Sequence, residues 1–472
     1  MSHTVGCAGT DDFGPHMARP LCRIEVPRRR GFMVNPAARP THTFARPKCR
    51  ECQSSNRTRV IGRESVRSGV NQRELPSYGG PAVTTTGDRI ASLRKLAGLK
   101  QIQLAQRAKY SLSMVRAVEQ NREPASPGFV AAVAAALGVE PEHLTGAPFY
   151  DLIEEDGPLE GIAELRAVFA EGPYVRAVEP PPLAELAAEM AAIDTAYRND
   201  KGRAALARIP VLIRQLYGAL HAAGDADRGA VLSLLCAAHV TAERLCRRFG
   251  FTSLAPSVLD RLEWAAAGAD DPLYAAQAKI KRARILMYHN ANDVGLQLVE
   301  QGLDMIEGDT EAANAVRGYG HLCGAIVAAR GIRPDTAADH IEAARALAPT
   351  MPRESDLYGT LFGPGNVGIH AAAVALEAGD PDRAAREGSA LVLPPEIAPP
   401  RAGHHWQDVA RAWVLVGQPD KALRALGAAR AVAPQQTRLH PSVRETLHAI
   451  AAAERRRTDS LANFASWVGV SL

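Results

Sequence analysis

Five short segments punctuate the chain from residue 224 onward. They are Gly224-Asp225-Ala226-Asp227, Asn290-Ala291-Asn292-Asp293, Gly331-Ile332-Arg333-Pro334-Asp335, Gly379-Asp380-Pro381-Asp382 and Gly417-Gln418-Pro419-Asp420. In each, glycine or asparagine stands where a helix would close, and aspartate or proline where the next would open. The last four are separated by 41, 48 and 38 residues. Between them alanine and leucine recur, the residues that favour helix most, and β-branched runs are scarce after residue 86. The spacing predicts helix, short turn, helix, repeated from Leu183 to about Arg457: a solenoid of helical hairpins with variable loops.

The last unit carries a detailed pattern. Trp406, Val409, Ala410 and Trp413 take large, large, small and large positions on its first helix. Ala422, Leu426, Ala429 and Pro434 take small, large, small and terminal-proline positions on its second. Two helices approach closely only where alanine leaves room, and bulky side chains fill the gaps between. This unit resembles a tetratricopeptide repeat. A weaker copy lies at Ala337, Ile341, Ala344 and Pro349, and the units at Asn290 and Gly379 match poorly. Three further segments, Phe362–Val367, His404–Arg411 and His440–Glu445, resemble the repeat domains of a family of actinobacterial regulators. A concave repeat groove of this kind takes a peptide, a small molecule or a partner protein.

A denser cluster of short helices is expected at 86–147. A first helix carries Ile90, Leu93 and Leu96, and a turn at Gly98 leads to Leu99. A second begins near Gln101 and contributes Ile102, Leu104 and Ala105; Lys109 and Tyr110 form the turn. Ser111 has the chemistry of an N-cap for a third helix, Leu112 to Gln120, with Val115 and Val118 inward. A fourth opens at Ser126-Pro127, packs Phe129, Val133 and Leu137 and closes at Gly138; a fifth starts near Pro141 and delivers Leu144.

These residues resemble the phage-repressor and Cro type of helix-turn-helix, the XRE-like family. The match rests on Arg94, Leu99, Gln101, Leu104-Ala105, Ser111, Val115, Val118-Glu119, Asn121-Arg122 and Ala136–Val139. The resemblance implies a structural ion pair between Arg94 and Glu119. It implies that the third helix enters the major groove, with Ser111, Leu112, Ser113, Arg116 and Ala117 facing the bases. Gln101 would touch the DNA backbone, and Asn121 and Arg122 would reach phosphate, the former through its backbone N–H. The family usually has glycine where Lys109 and Asn121 stand. Asparagine accepts a left-handed backbone with little penalty, whereas lysine loses roughly 1 kcal/mol there. Leu112 and Ala117 offer only apolar contact and Arg116 is the one strong donor, so base readout is expected to be modest or shared with DNA shape.

The charge is uneven along the chain. Residues 1–85 carry 14 Lys and Arg against 6 Asp and Glu, residues 86–147 carry 8 against 5, and the remainder 33 against 40. A basic front suits a polyanionic partner. Residues 1–85, rich in Pro, Arg, Gly, Ser and Thr, read either as a disordered tail or as upstream sequence from a misplaced start, with Met33 or Val83 as the true first residue. Residues 148–182 read as a linker holding the acidic patch Glu154-Glu155-Asp156, a helix near Gly161–Ala170 and the stiff run Pro180-Pro181-Pro182; residues 458–472 read as a C-terminal tail.

Of 7 cysteines, Cys236, Cys246 and Cys323 lie in apolar helical stretches and read as buried hydrophobes of a reducing cytoplasm. Cys49 and Cys52 form half of a zinc pattern with no second half in sequence, and His404, His405 and Asp408 lack a third ligand, so no metal or cofactor is expected. No apolar run is expected to span a bilayer, and no signal-peptide pattern opens the chain. No phosphate-binding loop, dinucleotide glycine run or nucleophile elbow occurs, which argues against an enzyme.

The expected fold class is therefore all-α: a five-helix Cro/repressor-type domain, then an α-solenoid of tetratricopeptide-like hairpins at 183–457. The expected function is a cytoplasmic, nucleoid-associated transcriptional regulator, binding double-stranded operator DNA as a homodimer, with the repeat domain sensing a ligand or partner. The competing expectation is a protein-interaction scaffold with an accessory helix-turn-helix.

Overall fold

The computed structural model describes residues 85–147, 159–453 and 459–470, and every helix and contact below belongs to them. The basic front segment, its Cys49-Cys52 pair and the acidic patch of the linker lie outside them. Among the described residues the fold is all-helical, its single extended pairing being an isolated bridge between Ser355 and Phe362.

The first five helices are α1 (Thr86–Leu96), α2 (Gln101–Ala108), α3 (Leu112–Glu119), α4 (Pro127–Leu137) and α5 (Pro141–Thr145). They close around one apolar core that includes Ile90, Leu104, Val115, Phe129, Val133 and Leu144. Leu96 and Ile102 stay outside it, at 83% and 44% exposure. The helical period explains this: the positions that follow Ile90 inward are Leu93 and Arg94, and Leu104, Ala105 and Ala108 define the buried stripe of α2.

The second region begins earlier than the repeat pattern suggests. α6 (Ile162–Glu171) buries Ile162, Leu165, Val168 and Phe169 in the same core as the helices that follow. The second half of the expected linker is thus part of the folded body. Beyond the prolines come α7 (Leu183–Arg198), α8 (Gly202–Ala222), α9 (Asp225–Arg248), α10 (Ala255–Ala266), α11 (Leu273–Leu286) and α12 (Asn292–Asp304). α13 (Glu311–Arg330), α14 (Pro334–Leu347), α15 (Pro364–Glu377), α16 (Pro381–Ala390), α17 (Pro399–Leu415) and α18 (Pro419–Val432) continue the series. α19 (Pro434–Leu439), α20 (Pro441–Ala453) and α21 (Asp459–Val468) end it. The expected C-terminal tail therefore contains a helix, α21, whose Leu461, Phe464, Ala465 and Val468 pack with Val409, Leu426 and Val443.

All five turn segments fall at helix boundaries, with Asn290, Gly379 and Gly417 at positive φ. Proline occupies the first position of α14, α15, α16, α17, α18, α19 and α20, where its missing N–H costs nothing. Consecutive helices pair, α11 with α12, α13 with α14 and α17 with α18. In addition α11 meets α13, α13 meets α15, and α15 meets α17. The helices α11, α13, α15 and α17 thereby form an inner row. Ala410, Ala422 and Ala429 are fully buried where α17 and α18 close on each other.

α9 is long and apolar enough to cross a bilayer by length and composition, which the sequence reading did not anticipate, but 78% of its apolar window is buried inside the body. Its C-terminal half carries Glu243, Arg244, Arg247 and Arg248 inward, an arrangement suited to a core helix. Cys236, Cys246 and Cys323 are buried free thiols.

Candidate nucleic-acid interface

The site is built on a capped scaffold. The Thr85 hydroxyl accepts the Asp88 N–H at 3.0 Å and the Asp88 carboxylate accepts the Thr85 N–H at 3.1 Å, fixing the start of α1. Ser111 caps α3 by accepting the Met114 N–H at 3.1 Å. Ser126 does the same for α4 through Phe129 N–H at 3.1 Å. Lys109, at φ 57°, turns the chain between α2 and α3, and Tyr110 then sets its ring edge-on to Phe129 at 5.0 Å.

Arg94 and Glu119 form the pair that the resemblance implies. Arg94 Nε donates to Glu119 Oε1 at 2.6 Å and Nη2 to Oε2 at 2.9 Å, a two-pronged contact. The third prong, Nη1, donates to the Leu99 carbonyl at 2.8 Å. The hydrogen bond to Glu119 raises the Arg94 pKa above its ordinary value. Gln101 joins the pair, its amide donating to Glu119 Oε2 at 2.7 Å. The expected backbone-contact residue is thus held against the ion pair that links α1, α2 and α3.

The outer face of α3 presents Ser113, Arg116 and Gln120, all exposed, with Ser111 exposed at its start. Leu112 and Met114 lean half-buried on the core. Ala117, expected to face the bases, is 5% exposed and offers little surface there. The helical period does not account for this, since Ala117 follows Ser113 by one turn on the same side of α3; the segment after α3 folds back over it, the Arg122 N–H donating to the Ala117 carbonyl at 2.8 Å. Asn121 adopts φ 56°, and its N–H donates to the Val118 carbonyl at 2.9 Å. That N–H, expected to reach phosphate, is therefore used inside the turn. Arg122 is exposed and its Nε donates to Gln120 Oε1 at 2.9 Å. Sequence reasoning passed over Lys100 and Arg107, exposed on or beside α2, which add positive charge around this face.

A family model described as a helix-turn-helix domain matches residues 86–145. These residues form a helix-turn-helix domain, of the kind that binds DNA in regulators. No curated protein matches the chain.

The domain rests on the helical body through α1, α4 and α5. Thr86 Oγ1 donates to the buried Glu445 carboxylate of α20. Burial pushes the Glu445 pKa up to about 7, against the opposing pull of Thr86 and Arg89. Glu142 Oε1 accepts from Thr252 Oγ1 and from the Ser253 N–H, both at 2.6 Å. α4 is buried nearly all round: Phe129 and Val133 join the domain's own core, while Pro127, Val130 and Ala131 line a cavity of about 170 Å³ shared with the body.

Across that cavity the inner row carries charge. Arg330 Nε donates to Glu377 Oε2 at 3.0 Å, and Arg411 donates to the other oxygen. Burial alone would raise the Glu377 pKa, but the two guanidinium groups outweigh it and hold the carboxyl below its ordinary range. Lys281 Nζ donates to Glu243 Oε2 at 3.0 Å, both fully buried, and Arg247 shares the same carboxylate. His404 Nδ1 lies 3.1 Å from Asp408 Oδ2.

Proposed function

We propose that this chain is a sequence-specific transcriptional regulator of the XRE-like type, binding double-stranded operator DNA through α3. The observation that carries the reading is the outer face of α3, where Ser113 and Arg116 stand free of the body on a capped, ion-paired helix-turn-helix scaffold. Arg116, the strongest donor on that face, would read a guanine edge in the major groove. Ser111 and Ser113 would donate or accept beside it, and Arg122, Lys100 and Arg107 would neutralise phosphates. Leu112 would give an apolar contact at the base of the face. The helical body, with alanines where α17 meets α18 and a row of inner helices, is read as a tetratricopeptide-like repeat domain of the actinobacterial kind. It would sense a ligand or hold two chains together as a homodimer. The same reading makes the protein a non-enzymatic, cytoplasmic, nucleoid-associated one.

The test is DNA binding by the full chain across a salt series. Binding to a selected site should weaken steeply as salt rises, because each neutralised phosphate releases counterions. Arg116→Ala should change the preferred site. A salt-independent interaction, or an unchanged preferred site, contradicts the reading.

A further inference from the structure

Seven side chains, among them Arg247, Arg284, Tyr288, His370 and Arg401, line both the 170 Å³ cavity under the helix-turn-helix and an adjoining chamber of about 130 Å³. The two spaces therefore adjoin through these side chains, most of which come from α9, α11, α15 and α17, and the first is roofed by α4 and α5. Most of its cations are already answered by carboxylates. Arg247 and Lys281 share Glu243, Arg330 and Arg411 share Glu377, Arg244 has Asp194 and Arg248 has Asp200.

Two guanidinium groups are not. Arg284 has no hydrogen-bond or ion-pair partner among the described residues, and its ionisable surroundings are Arg247, two tyrosines and Cys323. The hydrogen bonds of Arg401 go to neutral groups, Nε donating to Asn366 Oδ1 at 2.7 Å and Nη2 lying 3.1 Å from His370 Nδ1, while the Asp408 carboxylate acts on it from beyond ion-pair distance. That same Nδ1 lies 3.0 Å from the Asn366 carbonyl. One ring nitrogen cannot donate to the carbonyl and accept from the guanidinium at once, so one of the two contacts goes unmet. Burial also lowers the Arg401 pKa to about 10 and keeps His370 neutral. Neither guanidinium has a carboxylate within ion-pair distance, and a bound anion would supply that direct partner.

We propose that this interior binds a small organic phosphate, its dianionic head between Arg284 and Arg401 and its apolar body against Met287, Tyr288 and Ile326. The phosphate class follows from geometry: two guanidinium groups without a carboxylate in ion-pair distance offer two planar forks, and such forks suit the oxygens of one dianionic phosphate. The apolar walls exclude a bare ion as the whole ligand. The roof gives the site a consequence. Pro127 and Ala131 of α4 and Glu142 of α5 close the same cavity, so an occupant differs in its contacts between a seated and an unseated helix-turn-helix. This second step rests on the regulator reading above; the binding site does not.

The test is calorimetric titration of the full chain with phenyl phosphate, benzoate and inorganic phosphate, without DNA. Phenyl phosphate should bind at one per chain, at least tenfold tighter than either of the others. Arg284→Met should weaken it at least tenfold while leaving the unliganded chain with a cooperative thermal transition, because no hydrogen bond or ion pair within the described residues is lost with the guanidinium. Arg401→Lys, which keeps the charge but loses the fork, should give an intermediate loss. Absence of saturable phenyl phosphate binding, or equal binding by Arg284→Met, overturns the site. Binding that persists with no effect on DNA affinity leaves the site standing and contradicts the regulatory step alone.

Discussion

The helix-turn-helix domain and the helical body solve the placement of charge in opposite ways. The small domain, with 8 basic against 5 acidic residues over 86–147, buries one saturated pair, sets Arg89 at the seam with the body, and exposes Lys95, Lys100, Arg107, Lys109, Arg116 and Arg122. The body and its flanking segments carry 33 basic against 40 acidic residues, yet the inner row gathers Arg244, Arg247, Arg248, Lys281, Arg284, Arg401 and Arg411 around a cavity. Outward charge on a compact scaffold suits a long, hydrated polyanion whose counterions are released. Inward charge under partial burial suits a small anion that can replace the water those groups have lost. Net charge by segment conceals this, because it counts residues without regard to whether they face the cavity.

The comparison is broken most severely at Glu377. Removing this carboxylate by Glu377→Ala leaves Arg330 and Arg411 buried together, and the loss should be about 4 kcal/mol by denaturant titration. A loss under about 1 kcal/mol would show that solvent reaches the inner row freely. Glu119→Ala in the small domain should cost slightly less, about 3 kcal/mol, since it strands the partly buried Arg94 and releases Gln101. Arg94→Lys should recover little, because an ammonium cannot reproduce contacts to both Glu119 oxygens and to Leu99.

The seam between the regions should be sensitive to pH. The Glu445 pKa stands at about 7 in the folded state, above the usual 4.5. The folded state therefore binds the proton more tightly than the unfolded chain. Its stabilising contribution is complete at pH below about 4.5 and is lost as pH rises through about 7. The shift corresponds to on the order of 3 kcal/mol. Histidines kept neutral by burial, such as His239 and His440 with pKa lowered to about 3, act in the opposite sense over this window, so the Glu445 contribution is read as a difference between two proteins. Measured by thermal unfolding, the midpoint of Glu445→Gln relative to the native chain should be higher at pH 8 than at pH 5.5, because glutamine mimics the protonated carboxyl. An equal pH dependence in the two proteins would assign the sensitivity to other groups. The smallest effect on stability belongs to Arg116→Ala, an exposed change that should leave the denaturation midpoint within about 0.5 kcal/mol while altering sequence preference.

What the sequence revealed about these two regions follows from the range of the forces involved. The five turn segments were legible because capping is local: Gly379 at positive φ and Pro381 at a helix start depend on their neighbours alone. The all-helical class and the scaffold of the small domain were legible for the same reason, and the Arg94–Glu119 pair through its resemblance. The low exposure of Ala117 and the internal bond of Asn121 N–H were not, since both depend on how the chain folds back as it leaves α3. α6 and α21 were read as linker and tail because neither fits the repeat spacing, although each packs into the body. One overlooked signal was present. α4, from Pro127 to Leu137, contains no charged residue, and a helix apolar on every side has neighbours on every side. That alone indicates a second surface covering the helix-turn-helix. The ring of inward arginines could not be read, because it is assembled from α9, α11, α13, α15 and α17, which lie far apart in the chain.

The most direct measurement is genome-wide mapping of the sites bound by the full chain and by Arg116→Ala. The account predicts discrete sites sharing a short motif for the native protein, and a shifted or lost motif for the variant. Uniform binding without a motif, or the same motif in both proteins, would contradict it.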